Sequence, residues 1–447
     1  MNIRIRSAWL AILLLTVIGL SHSVGKHTNV VLILADDVGY ECFSSYGSKE
    51  YNTPRLDALA AEGIRFTNCH STPLCTPSRV NLMTGKSNVF NYVDFGEFPR
   101  NEPTFGNHFK DQGYATAVAG KWQLLTDQGG ISPTEAGFDT YCLWNTPNTE
   151  RSRYWNPSLE KDGAILDLPE ESYGPTIVND FILEFIRENK ERPFFVYNPL
   201  ILPHNPFPVT PHSENPDETD NKKNFIDMVQ YIDFLVGRIV DTLEELELRE
   251  NTLIVFTGDN GTNHVLTSEL NGIEIPGGKG FTHDYGTHVP LIANLPDRIP
   301  GGQVNDDLIG FSDFFPTIVD ATGVSPKAIT DTDGISFWAQ CIGEPGTKRE
   351  SIFGYYFPRP YSETFDNMYK HWEVRYARDK RYKLYGDGRL YDTHMDVMEE
   401  NPISPDVQNS EAASARKILE KTLNKFPAQG AMIDYKRVTG TLPKGLN

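Results

Sequence analysis

Apolar positions along the chain alternate between short continuous runs and longer amphipathic stretches. Asn29–Ala35 is an almost unbroken Val/Ile/Leu run followed at once by Asp36 and Asp37, the pattern of a strand buried on both faces of a parallel sheet. Pro103–Gln112 predicts a helix stopped by Gly113, and Tyr114–Ala119 predicts a strand ending in Gly120, Lys121 and Trp122. Thr176–Lys190 places Ile177, Val178, Phe181, Ile182, Phe185 and Ile186 on one helical face. The strand Pro193–Leu200 then ends in Pro203, His204, Asn205 and Pro206. A long amphipathic helix over Phe225–Leu248 leads into the strand Thr252–Thr257, which terminates in Gly258, Asp259 and Asn260. From about Ser351 the texture changes: Trp372–Ala377, Arg381–Tyr385 and Arg389–Tyr391 read as short strands, with Gly386-Asp387-Gly388 as a turn. The expected fold class is α/β, a large mostly parallel sheet flanked by helices with a smaller C-terminal antiparallel-sheet subdomain.

Composition narrows the classes of function. The chain has 447 residues, ample for a large core, with 39% hydrophobic and 23% charged residues. Its 41 Lys plus Arg against 60 Asp plus Glu give a formal charge of −19, which argues against nucleic acid as a partner. Arg4 and Arg6 precede an apolar run from Ala8 to Leu20 and then Ser21, His22 and Ser23, the pattern of a cleaved signal peptide over residues 1–24. The expected location is therefore secreted or periplasmic, without stable membrane insertion, since no later run approaches the roughly 18 apolar residues a span needs. In an oxidising space the five cysteines, Cys42, Cys69, Cys75, Cys142 and Cys341, leave at least one unpaired.

In each α/β unit a polar or charged group follows the carboxyl end of a strand, where open α/β sheets bind their ligands. One such residue alone would read as a turn former or a helix cap; four together point to a site. Asp36, Asp37, Asp259 and Asn260 offer only oxygen donors, which suits a hard divalent cation, Ca²⁺ ahead of Mg²⁺. Arg79, Lys121, Lys279 and His204 form a cationic set. A cation beside such groups describes a pocket for a doubly charged oxyanion and hence for sulfate or phosphate esters.

The segment Cys75-Thr76-Pro77-Ser78-Arg79 is where a nucleophile is expected, although a lone cysteine ordinarily reads as an inert buried hydrophobe. Pro77 at a first helical position, followed by Val80, Leu82 and Met83, predicts a helix whose amides point toward Cys75. Cys-x-Pro-x-Arg is the sequence that directs conversion of Cys to formylglycine, and the phrase from Thr72 to Gly85 closely resembles the signature of the formylglycine-dependent (type I) sulfatases of the alkaline phosphatase superfamily. The resemblance runs from about Asn29 to Leu295, with weaker similarity at Arg381-Tyr382-Lys383-Leu384 and Leu390-Tyr391-Asp392. It implies that Asp36, Asp37, Asp259, Asn260 and modified Cys75 hold the metal and that Arg79 orients the aldehyde hydrate. Lys121, His204 and Lys279 would hold sulfate. It also implies a catalytic domain over 25–345, a subdomain over 346–447, and a formylglycine maturation enzyme as partner.

A hydrated aldehyde offers one hydroxyl to attack sulfur and a second whose deprotonation expels sulfate, and His204 stands to protonate the departing alcohol or to hydrogen-bond it. Two positions depart from the family pattern. Gln123 stands where many members have His and cannot take a proton near neutral pH; His288 replaces an Arg and reads as a hydrogen-bonded core histidine. Trp144, Asn145, Arg151, Arg153, Tyr154 and Trp155 suit sugar stacking and an acidic polymer, or ordinary loop packing. Tyr355, Tyr356, Arg359, Tyr361, His371 and Trp372 would give the smaller subdomain a share of the pocket wall. The expected substrate is a sulfated small molecule or glycan, with a sulfated carbohydrate favoured. The alternatives are a phosphodiesterase or phosphonate hydrolase with the same nucleophile and a non-catalytic glycan-binding descendant.

Overall fold

The computed structural model describes residues 27–127, 129–325, 332–357, 373–406, 410–428 and 430. The expected signal peptide and Arg359, Tyr361, His371 and Trp372 lie outside them. Twelve strands precede residue 311: β1 Asn29–Ala35, β2 Ile64–His70, β3 Ala115–Lys121, β4 Thr140–Trp144, β5 Glu160–Lys161, β6 Ala164–Ile165, β7 Phe194–Pro199, β8 Thr252–Gly258, β9 Thr267–Leu270, β10 Ile273–Pro276, β11 His288–Asn294 and β12 Gln303–Gly310. Ten of them build one sheet in the order β12-β2-β11-β8-β1-β7-β3-β4-β5-β6, and β9 and β10 form a hairpin. The centre is parallel: β1 pairs with β7 on one side and β8 on the other, and β7 with β3.

The apolar run of β1 divides between the two faces, as period-two alternation requires. Val31, Ile33 and Ala35 join the core under the helices Gly174–Glu188 and Asn221–Glu245, whereas Val30, Leu32 and Leu34 join the core on the opposite face with the helices Cys75–Thr84, Phe105–Asp111 and Phe314–Thr322. Both faces are therefore dry, and polar chemistry is left to the strand ends. Those ends are stitched together by backbone: the Asp259 amide donates to Ala35 O at 2.8 Å and the Asp36 amide to Leu202 O at 2.9 Å. Gly120, at φ +134°, lets β3 come close to β7, because a Cβ there would sit 1.8 Å from Pro199 O.

A second sheet, β13 Ile352–Tyr356, β14 Val374–Arg378, β15 Tyr382–Tyr385 and β16 Leu390–Asp392, is antiparallel throughout. The helix Ser410–Leu423 covers it, packing Ala412, Ala415, Leu419 and Leu423 on Ala377, Tyr382, Leu384 and Leu390. No helix among the described residues is long and apolar enough to cross a membrane. One expectation needs correction. The helix after β2 begins at Cys75 rather than Pro77, with extended Leu74 as its cap, so Cys75 belongs to the first turn instead of facing it. Tyr355 and Tyr356 are buried within β13, and Tyr355 lines a cavity with His70, Ser71 and Thr72. Trp144 and Tyr154 are buried as well, whereas Trp155 is partly exposed.

Candidate active site

The carboxyl ends of β1, β3 and β8 and the helix after β2 bring Asp36, Asp37, Lys121, Asp259, Asn260, Cys75 and Arg79 into one buried knot, in which all seven are essentially without exposure. Lys121 Nζ donates to both Asp36 carboxylate oxygens at 2.8 Å. Arg79 spans two strand ends, donating from one nitrogen to Lys121 O at 2.7 Å and from another to Asp259 Oδ2 at 3.0 Å, with Asp36 Oδ1 at 3.6 Å. Asn260 Nδ2 donates to Asp37 Oδ1 at 2.9 Å, and the Asp37 amide donates to Asp259 Oδ1 at 3.1 Å. Lys279, from the loop between β10 and β11, closes the knot with an ion pair to Asp37 and lies 3.0 Å from His204 Nε2. The residues expected to serve as metal ligands, nucleophile and sulfate holders thus lie in one cluster.

Three carboxylates face three cations here, and burial makes their balance costly. Burial alone would raise the Asp36 carboxyl, yet the cations around it, led by Lys121, hold it far below the ordinary carboxylate range. Asp259 goes the other way: burial, and after it the Asp36 carboxylate, push it up to about 7 against Arg79 and Lys121. Asn260 Oδ1 is buried without a partner. Asp36, Asp37 and Asp259 together with an unpaired amide oxygen are the donor set a hard dication takes, and Asp36, Cys75 and Asp259 bring ligand atoms within 4.8 Å of one another. A dication added to this balanced set leaves two positive charges, which matches a sulfate dianion.

Cys75 Sγ donates to Gln123 Oε1 at 3.0 Å. Burial raises the thiol above its ordinary value, so an unmodified Cys75 stays neutral and weakly nucleophilic. Gln123 reaches it from a left-handed backbone at φ +53°, and its amide donates to the carbonyl of Asn145, itself at φ +64°. Two non-glycine residues in that region, side by side, are strain held at a site by the strands that end there.

His204 is buried enough that its pKa falls to about 4 despite Asp37 and Asp36; its Nδ1 contacts Arg153 at 2.9 Å and Asn205 O at 2.7 Å. His288 lies at the amino end of antiparallel β11, between Asp284 Oδ2 and Thr67 O, both at 2.9 Å, and stacks on Tyr40. It is hydrogen-bonded and partly buried, as its sequence setting predicts. The same network holds what sequence reading missed: Arg378 of β14 donates to Asp284 at 2.7 Å and contacts His70 at 3.0 Å, tying the second sheet to the loop that carries Lys279. All five cysteines are buried and free.

A buried polar cluster of this kind, with Cys75 at a helix start and a ring of cations, stands at the carboxyl ends of a mostly parallel sheet, where such folds bind ligands. The sulfatase family profile matches residues 28–324, and a profile described as N-sulphoglucosamine sulphohydrolase, C-terminal, matches residues 278–429. The chain belongs to the sulfatase family and is a sulfuric ester hydrolase. It is 30% identical over 385 residues to N-acetylgalactosamine-6-sulfatase of Canis lupus familiaris, covering 78% of this chain and 72% of that protein. A solved structure in complex with its substrate D-glucosamine-2-N,6-O-disulfate superposes with a TM-score of 0.72 at 21% identity, over 94% of this chain and all of that one. The phosphonate monoester hydrolase of Agrobacterium radiobacter gives 0.68 at 21% identity, over 89% and 95%. The fold is alkaline-phosphatase-like.

Proposed function

We propose that this chain is an exported sulfatase that hydrolyses sulfate esters of a carbohydrate, with formylglycine made from Cys75 as nucleophile and Ca²⁺, ahead of Mg²⁺, as its metal. The observation that carries the reading is the single buried knot in which Cys75 stands beside three carboxylates, Arg79 and Lys121. Carbohydrate is favoured because the relative named for N-acetylgalactosamine-6-sulfate and the neighbour holding a disulfated glucosamine both handle sulfated sugars. Export rests on the Arg4–Ser23 pattern.

Asp36, Asp37, Asp259, Asn260 and modified Cys75 would hold the metal, which supplies Lewis-acid stabilisation of the nucleophile and of the sulfuryl oxygens. Arg79 locks Asp259 and the Lys121 carbonyl in place, and so fixes the ends of β8 and β3 relative to Cys75. Lys121 and Lys279 bring fixed positive charge to where negative charge grows in the transition state. His204, with its pKa pushed down to about 4 by burial, enters as a neutral ring. Its Nε2 accepts from the Lys279 ammonium at 3.0 Å and so orients Lys279 toward the sulfate pocket. Gln123 positions the nucleophile by accepting a hydrogen bond from it at Oε1.

The deciding experiment is the mass of the Cys75 peptide from a host able to modify it, together with parallel assays on sulfate and phosphonate esters. An aldehyde and preferential sulfate release support the reading; preferential phosphonate cleavage moves the chain to the other activity of this fold. Metal binding gives a second check. Because Asp259 holds its proton up to about pH 7 and must lose it to bind a cation, Ca²⁺ affinity measured calorimetrically will rise with pH and level off above about 7. An affinity independent of pH from 5 to 8, or zinc in fully active protein, rejects the assignment.

The Gln123→Ala variant will lose roughly tenfold in kcat, the size of one lost positioning hydrogen bond, with KM little changed. An unchanged rate on every substrate removes Gln123 from the active site.

A further inference from the structure

Arg79, Lys121 and Lys279 all have carboxylate partners within the knot. Arg153 differs. It is half-buried, it makes no ion pair among the described residues, and its Nε is buried without a hydrogen-bond partner. Its guanidinium lies 3.9 Å over the Trp144 ring, which fixes its plane, and reaches His204 Nδ1 at 2.9 Å. The adjoining Tyr154 donates to Ile201 O at 3.1 Å and to His204 O, so the loop is held against the segment that carries His204.

The two nitrogens of His204 separate two environments. Nε2 faces Lys279 at 3.0 Å and Asp37 at 3.5 Å, on the side of the reacting ester. Nδ1 faces Arg153. Arg153 therefore stands one imidazole ring farther out than the cations that hold the cleaved sulfate. A partly desolvated guanidinium without a counter-charge is costly, and its planar fork is matched by a carboxylate or a sulfate.

Resting on the sulfatase reading, we infer that Arg153 recognises a second anionic group on the substrate, a carboxylate or a further sulfate on the sugar that carries the ester or on its neighbour. Arg153 is then a specificity-determining residue: it contributes binding energy to polyanionic saccharides and none to an isolated sulfate ester.

The test compares wild type, Arg153→Met and Arg153→Lys on three probes: a neutral monosulfated hexosamine, a disulfated hexosamine and a sulfated uronic acid. Arg153→Met keeps an unbranched chain over Trp144, and its melting curve controls for folding. The ratio of kcat/KM for the doubly anionic probe over the monosulfate is expected to fall about 30-fold or more in Arg153→Met, chiefly through KM, with partial recovery in Arg153→Lys. The probe that shows the fall identifies the anion as carboxylate or sulfate. An unchanged ratio overturns the inference, whether all rates fall together, as for a residue acting only through His204, or none do. Wild type that cleaves no sulfate ester at all removes the sulfatase reading, and this inference with it, an outcome visible before any variant is made.

Discussion

Cys75→Ala will hydrolyse sulfate esters at least on the order of 10⁴-fold more slowly than modified wild type, with its fold retained and its Ca²⁺ binding weakened by one ligand but not lost. The residue is buried, but its side chain is small and its one hydrogen bond runs to Gln123 Oε1, so the cost to stability is about 1 kcal/mol. Asp36, Asp37, Asp259, Lys121 and Lys279 keep their mutual contacts without it, and the oxyanion pocket continues to bind ligand. Cys75→Ser in a host whose maturation enzyme accepts only cysteine will also fail to turn over, because a lone hydroxyl can receive a sulfuryl group but lacks the geminal partner that expels it. Sustained turnover by purified Cys75→Ala, with contaminating hydrolases excluded, refutes the formylglycine mechanism.

Arg79→Met will remove activity by a different route and will also destabilise the protein. The guanidinium has no exposure and binds Asp259, the Lys121 carbonyl and, more distantly, Asp36. Its loss leaves Asp259, already pushed up to about 7 by burial and by Asp36, without its nearest cation. Breaking such a pair costs about 3–5 kcal/mol, and Asp259 then binds a proton at still higher pH. Denaturant titration of metal-stripped protein should show that loss, and added Ca²⁺ should recover part of it by supplying a replacement charge. Arg79→Lys will not restore activity, since one ammonium cannot reach two strand ends with the geometry of a planar fork. Native stability and native rates in Arg79→Met would mean that the knot is held together without it.

The parts of the molecule legible in the sequence are those where one physical signal dominates. β1 lies at Asn29–Ala35 as its apolar run predicts, and the strand-end residues Asp36, Lys121, Asp259 and Asn260 converge because parallel pairing of β1 with β7 and β8 leaves them no other place. The helices over Gly174–Glu188 and Asn221–Glu245 start a few residues before their amphipathic patterns suggest; Asp220 caps the second by accepting from the Lys222 and Lys223 amides, a local signal stronger than the apolar period. The sequence showed β11 only as an apolar strand beside His288 and hid its antiparallel place between β2 and β8. Pro290 sits inside it, which argues against a strand, and the structure accommodates it with a shift in register between Val289 and Leu291. β2 and β12 were equally hidden, because their polar and half-exposed positions do not give a clean run. Arg153 was visible only as a basic residue in an aromatic loop. Its contact with His204 is set by the path of that loop beyond β4, for which no short-range pattern exists.

The link between the two sheets bears on the order in which the molecule becomes functional during synthesis. Lys279 sits on a loop whose later residues are held from the second sheet: Lys383 donates to Thr282 O, Tyr385 shares a 2.8 Å hydrogen bond with Thr282, and Arg378 pairs with Asp284. Lys383 lies 101 residues beyond Thr282. At roughly 5–20 residues per second, a ribosome needs on the order of 10 s to supply the clamp after the loop has emerged. The large sheet can form its dry faces in that interval and already holds Lys279 and Gly280 through Thr262 O and Pro73 O, whereas Thr282 and Asp284 gain their second-sheet partners only afterwards. The downstream half of the loop after Lys279 is therefore completed by the strands made last, and a chain ending before β14 lacks that clamp.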